Sequence, residues 1–174
     1  MRLVGILILG LSVTFVAARA QCTISFPPDA VGTTPLWFSA DTQRATLWSC
    51  HGDDCSERMA EEPIAGFSGA LVDEVRKQVS TLETMASCLE GDLIQQDDWI
   101  KQLGTLGDDE KTRLVALHVV TLRQVGEVRA RLNTVTAEWG PFGRKLGKEP
   151  IEVWLSPTSH PWLRRMVLTA FGLP

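Results

Sequence analysis

The densest run of chemically capable side chains is Cys50-His51-Gly52-Asp53-Asp54-Cys55. An imidazole and two carboxylates between thiols are donors that a divalent metal would accept, and the same groups suit acid-base chemistry. No second His or Cys cluster supplies the remaining ligands, and cysteines that pair with one another are lost as thiolates. The run is therefore expected to be an acidic turn flanked by disulfide cysteines, with no metal and no other cofactor. Its Cys-to-Cys spacing also differs from that of two-residue redox and haem-attachment motifs.

Nucleophilic catalysis needs a base beside the nucleophile and a third group to orient it. The three histidines are His51, His118 and His160. His118 falls among apolar residues of a helical pattern and reads as a packing side chain. His160, beside Ser156 and Ser159, reads as part of a helix cap. Asp97-Asp98 and Asp108-Asp109-Glu110 gather carboxylates at a solvated helix tip, where nothing would separate their pKa values into an acid and a base. No glycine loop sits between a strand and a helix as phosphate binding requires. No catalytic residue is assigned. An exported hydrolase using His51, Asp53, Asp54 and His160 is the alternative, and it requires those groups to converge.

Six tryptophans and no tyrosine are the other notable feature. Tryptophan concentrates contact energy at interfaces, although most indoles pack in cores. Trp99 lies next to Asp97 and Asp98 and off the main apolar stripe, so these three are expected to form a binding surface. A second expected surface is the C-terminal segment, which carries Arg144, Lys145, Lys148, Trp154, Trp162, Arg164 and Arg165 and would suit an anionic membrane surface or wall polymer.

The address of the chain follows from its first residues. Arg2, the apolar run Leu3 to Ala17 and the small-residue site Ala18-Arg19-Ala20 read as a cleavable secretory signal, because the run is too short to span a bilayer. Residues 1–20 are expected to be removed and 21–174 to form one mature domain, periplasmic or secreted. Cys22, Cys50, Cys55 and Cys88 all follow that site, and an even count in an oxidising compartment predicts two disulfides. Cys22 with Cys50 and Cys55 with Cys88 is the preferred connectivity; Cys50 with Cys55 and Cys22 with Cys88 is the alternative. The full chain has 17 basic and 21 acidic side chains, and two of the basic ones fall in the leader, so the mature chain carries −6. Most of that charge lies before residue 140, whereas residues 140–174 are net basic. Such a balance argues against nucleic acid as a partner.

Two long elements must position these groups. From Ser68, residues Val75, Val79, Leu82, Ala86, Leu89, Leu93, Gln96, Ile100 and Leu103 recur at three-four spacing, a stripe weakened by Gln96 and by Gly91, where a break or kink is expected. After the turn Gly104 to Gly107, Leu114, Leu117, Thr121, Val125, Val128, Leu132, Val135 and Trp139 repeat the pattern until Gly140-Pro141, where the helix is expected to stop. A short connection makes the pair antiparallel and brings Asp73 and Glu74 toward Arg129 and Arg131. Residues 21–67 are rich in turn formers, including Pro27-Pro28-Asp29, with strand-like stretches at Cys22 to Phe26 and Arg44 to Ser49. Residues 140–174 contain a strand from Ile151 to Leu155 and a last helix with Pro161 in its first turn.

The expected class is mainly α: a long antiparallel helical hairpin (68–139), a small disulfide-linked N-terminal cap (21–67), and a basic segment (140–174) with a short strand and helix. The expected function is that of an exported, non-catalytic protein that binds a protein partner as an inhibitor, immunity factor or envelope adaptor. A membrane- or wall-associated structural role is a further alternative. Apolar stripes left uncovered by the cap would lead to a homodimer or await a partner helix.

Overall fold

The computed structural model describes residue 22, residues 24–26 and residues 32–174. The expected leader and the Pro27-Pro28-Asp29 turn lie outside the described residues. Three strands come first: β1 (Leu36–Ala40), β2 (Arg44–His51) and β3 (Asp54–Pro63). Helix α1 (Ile64–Lys101) and helix α2 (Asp108–Lys145) follow, joined through a 3₁₀ turn at Leu103–Thr105. Strand β4 (Ile151–Leu155) and helix α3 (Pro161–Ala170) complete the order.

The four strands form one antiparallel sheet in the order β3-β2-β1-β4. This corrects the expected class: 60% of the described residues are helical but 19% lie in that sheet, so the protein is α+β. The expected irregular cap is three strands of the sheet, and the expected isolated C-terminal strand is its fourth. The stretch from Cys22 to Phe26 contains no strand at its described positions.

Alternation explains the sheet. Leu36, Phe38 and Ala40 of β1, Ala45 and Leu47 of β2, and Ile151 and Leu155 of β4 are buried on one face. They pack on the base of the α1/α2 hairpin and on α3. Phe38 meets Phe67 of α1 and Phe142 of α2, each at 5.5 Å between ring centroids, and Phe171 closes on Phe67 at 4.4 Å. Buried aromatic rings at such spacings favour each other by about 0.5–1.5 kcal/mol beyond their area burial. The centre of the core is therefore where sheet, hairpin and C-terminus meet.

The helices differ from expectation at their ends. Helix α1 begins at Ile64, directly after β3, and its first amide donates to the Gln43 carbonyl at 2.7 Å. Ser68 lies inside the helix, and its buried hydroxyl caps nothing. The helix runs through Gly91 without a break. Helix α2 likewise continues past Gly140-Pro141 to Lys145, because the turn it gains carries Phe142 into the aromatic core. That burial offsets the amide a proline lacks. Gly147, with φ +71°, then reverses the chain in a conformation that disfavours any side chain.

Register and cross-links are corrected too. Arg129 pairs with Glu90 at 2.6 Å, further along α1 than expected, while Asp73 and Glu74 pair with Arg76 and Lys77 on their own helix. The disulfides are Cys22–Cys88 and Cys50–Cys55. The preferred connectivity fails because β2 and β3 are hairpin neighbours, which puts Cys50 and Cys55 across a turn with Cα atoms 4.1 Å apart. Cys22 is carried to the middle of α1, where Phe26 lies under the Arg131 guanidinium at 4.3 Å. Two disulfides mark an oxidising, extracytoplasmic environment. Among the described residues, no helix is long and apolar enough to cross a membrane.

Candidate functional site

One face of the sheet is covered by helices; the other carries tryptophan. Side chains alternate along a strand, so burying Leu36 and Phe38 turns Trp37 outward, and burying Leu47 and Leu155 does the same for Trp48 and Trp154. The register makes these three indoles direct neighbours. Trp37 is the partner of Trp48 across β1/β2 and of Trp154 across β1/β4. Neighbouring strands lie about 4.8 Å apart, so the row extends across three strands in roughly 10 Å. Trp154 is 38% exposed, and Trp37 and Trp48 are half-buried against it and each other. The Trp37 and Trp154 rings lie 6.2 Å apart at 62°, an edge-to-face arrangement.

A second row runs beside the first. Ser39 of β1 faces Thr46 of β2 and Glu152 of β4, and Thr46 faces Glu61 of β3. A bulge at Met59 shifts the β2/β3 register between Leu47 and Trp48, so that Arg58 comes opposite Trp48 while Glu61 stays opposite Thr46. Glu61 binds both Arg44 and Arg58. The Arg44 guanidinium beside it holds the Glu61 carboxyl below its ordinary range, and Glu61 in turn raises Arg44. Trp37, Trp48 and Trp154 line an open depression of about 520 Å³ together with Asp53 and Glu152. Neither of these carboxylates is in an ion pair among the described residues. Asp53 belongs to the β2–β3 turn, which Gly52 makes possible with φ +65° and which the Cys50–Cys55 disulfide closes.

The residues singled out from the sequence are distributed otherwise. Trp99 is 37% exposed at the far end of α1, where Asp98 pairs with Lys101 and Asp97 lies 3.7 Å from His118. Thirty-eight helical residues separate that tip from the sheet, about 57 Å at 1.5 Å each. The basic segment is divided. Arg144, Lys145 and Lys148 are exposed, with Lys145 paired to Glu149, whereas Trp162, Arg164 and Arg165 are buried on α3. Arg164 donates to the Leu155 carbonyl, its burial lowers its pKa, and Arg165 donates to Gln78. These three side chains hold α3 to its neighbours and are more than nine-tenths buried.

His51 and Asp54 face each other at the exposed β2–β3 turn. His160 stands just before α3, in a separate depression with Glu138, Lys145 and Ser159, and the amide of Leu163 donates to Glu138 there at 2.7 Å. Asp53 and His160 thus open on different surfaces. Among the described residues, no three His, Cys, Asp or Glu side chains are placed to share a metal ion.

The chain matches no family model, no curated protein and no solved structure. The site therefore rests on its own geometry. Sequence reasoning passed over Trp37 and Trp48 as a pair, although a signal was present: Leu36-Trp37-Phe38, Leu47-Trp48 and Val153-Trp154-Leu155 each set an indole between or beside inward-facing apolar residues.

Proposed function

We propose that this protein is an exported, non-catalytic binding protein, periplasmic or secreted, and that it engages a protein partner through the outer face of its sheet. The observation that carries this reading is the row of three indoles in adjacent strands on a face that no described element covers. Buried anchors of this residue type dominate the energetics of protein interfaces, and an edge-to-face pair presents corners into which a protruding side chain fits. An extended polysaccharide would instead call for coplanar rings. The hydrolase alternative loses support because Asp53 and His160 face different surfaces. The membrane or wall alternative loses Trp162, Arg164 and Arg165 to the core, and of its proposed contacts Arg144, Lys145, Lys148 and Trp154 remain exposed.

The test replaces Trp154 with a photo-crosslinking amino acid in the mature, oxidised protein, irradiated in the extracytoplasmic fraction of its source. One discrete protein adduct is expected, and it should disappear when Trp37 and Trp48 are changed to alanine. Adducts formed from position 99 or 148 but none from position 154 would overturn the sheet face as the binding surface.

A further inference from the structure

We infer that the tryptophan depression receives an arginine side chain projecting from the partner. This rests on the binding reading above and adds the chemistry of the contact. Two features of the depression select its occupant. Its walls are Trp37, Trp48 and Trp154, with two of the rings set at 62° to each other, so they offer negative π faces around a corner. Its polar lining includes Asp53 and Glu152, two carboxylates in no ion pair among the described residues.

Two cations on this face are paired with another carboxylate. Arg44 and Arg58 stand on the same face, but both are turned to Glu61. A purely apolar segment would strip water from two charges and return nothing, and an anion would be repelled. A cation satisfies both features at once. The guanidinium is planar, stacks on indole and donates paired hydrogen bonds to a carboxylate, which a compact ammonium does less well.

The experiment uses the mature, oxidised protein and a blocked peptide, Gly-Gly-Arg-Gly-Gly, followed by tryptophan fluorescence and by calorimetry at low salt. Saturable quenching is expected, with at least tenfold weaker binding by the same peptide carrying citrulline, which keeps the shape and removes the charge. The double variant D53N/E152Q should lose at least tenfold in affinity while keeping its circular dichroism, because both side chains lie outside the core. W154A should lose the fluorescence response and the calorimetric signal together. Equal binding of the arginine and citrulline peptides, no binding of either, or tighter binding of chitohexaose would overturn the inference. The two readings fail separately. A crosslinked partner whose capture is unchanged by D53N/E152Q leaves the binding face standing and removes the arginine. A peptide that binds as expected, with no partner crosslinked at position 154, does the reverse.

Discussion

The two ends of the helical hairpin are built on different principles. At its base the helices are one layer among three, pressed against the sheet and α3, and Phe38, Phe67, Phe142 and Phe171 interlock there. At its tip only two helices remain. There the interior holds polar groups: Gln96, 4% exposed, donates to Thr121, and Thr121 donates back to the Leu117 carbonyl. The outside of the tip carries Ile94, Val115, Val119 and Leu122, all between 48% and 66% exposed. Two helices cannot bury every apolar stripe they present, which is why helical hairpins need a covering layer. Packing is concentrated at the end that also carries the proposed binding face, so that face stands on the three-layered part of the molecule.

The largest effect should come from breaking the base. Phe67→Ala is expected to cost about 3–5 kcal/mol in urea unfolding, whereas Leu114→Ala near the tip should cost no more than about 2, since a thinly covered site loses less on truncation. Equal costs would remove the distinction between the ends. Next come the cross-links. Closing 66 residues should contribute roughly 4 kcal/mol and closing five roughly 2 on the chain-entropy account, so the Cys22→Ser/Cys88→Ser pair should lower stability about twice as much as Cys50→Ser/Cys55→Ser. Reversal of that order in thermal melts would show that the N-terminal segment adds little to the base.

Smaller changes sharpen the contrast. Gln96→Met removes a buried amide whose oxygen has no partner, and leaves Thr121 its bond to Leu117. It should be neutral or stabilise by up to about 1 kcal/mol. A clear loss would mean that the polar pair fixes the hairpin register. Trp154→Ala should change stability by less than about 0.5 kcal/mol while abolishing partner capture, the separation expected of a surface anchor. The smallest effect concerns acid. The amides of Gln43 and Arg44 donate to Asp41 and lower its carboxyl pKa in the folded protein, so its contribution is present above the ordinary carboxyl pKa and is lost as pH falls through the lowered value. Asp41→Asn should flatten the acid limb of a stability-pH profile below about pH 4.

The hairpin was legible because its three-four spacing continues for ten turns and its turn is marked by Gly104 and Gly107. β4 and α3 were legible for similar reasons, one by its cluster of β-formers and the other by Pro161. Of the other strands only β2 was, as the strand-like stretch Arg44 to Ser49, and the sheet itself was not. Tryptophans on the outer face erase the apolar-polar alternation that identifies a half-buried strand, so Leu36–Ala40 reads as a short apolar patch. β3 fails for the opposite reason: Asp54–Pro63 is a charged strand with hardly an apolar side. Pro141 misled because local propensity cannot register Phe142 one residue later in a distant core. The candidate face was hidden because only pairing brings Trp37, Trp48 and Trp154 together.

Strands β3 and β4 are the two edges of the sheet, and they are not equivalent. β3 runs ten residues along one of them with Glu57, Arg58, Glu61 and Glu62, two register irregularities and a proline at its end. Those are the features that keep unpaired backbone from templating another strand. β4 is five residues, Ile-Glu-Val-Trp-Leu, and Glu152 is its only charge. Self-assembly by strand addition, if the protein is crowded or partly unfolded, should start on the β4 margin. There Glu152 guards against aggregation, so neutralising it to probe ligand binding also removes that guard.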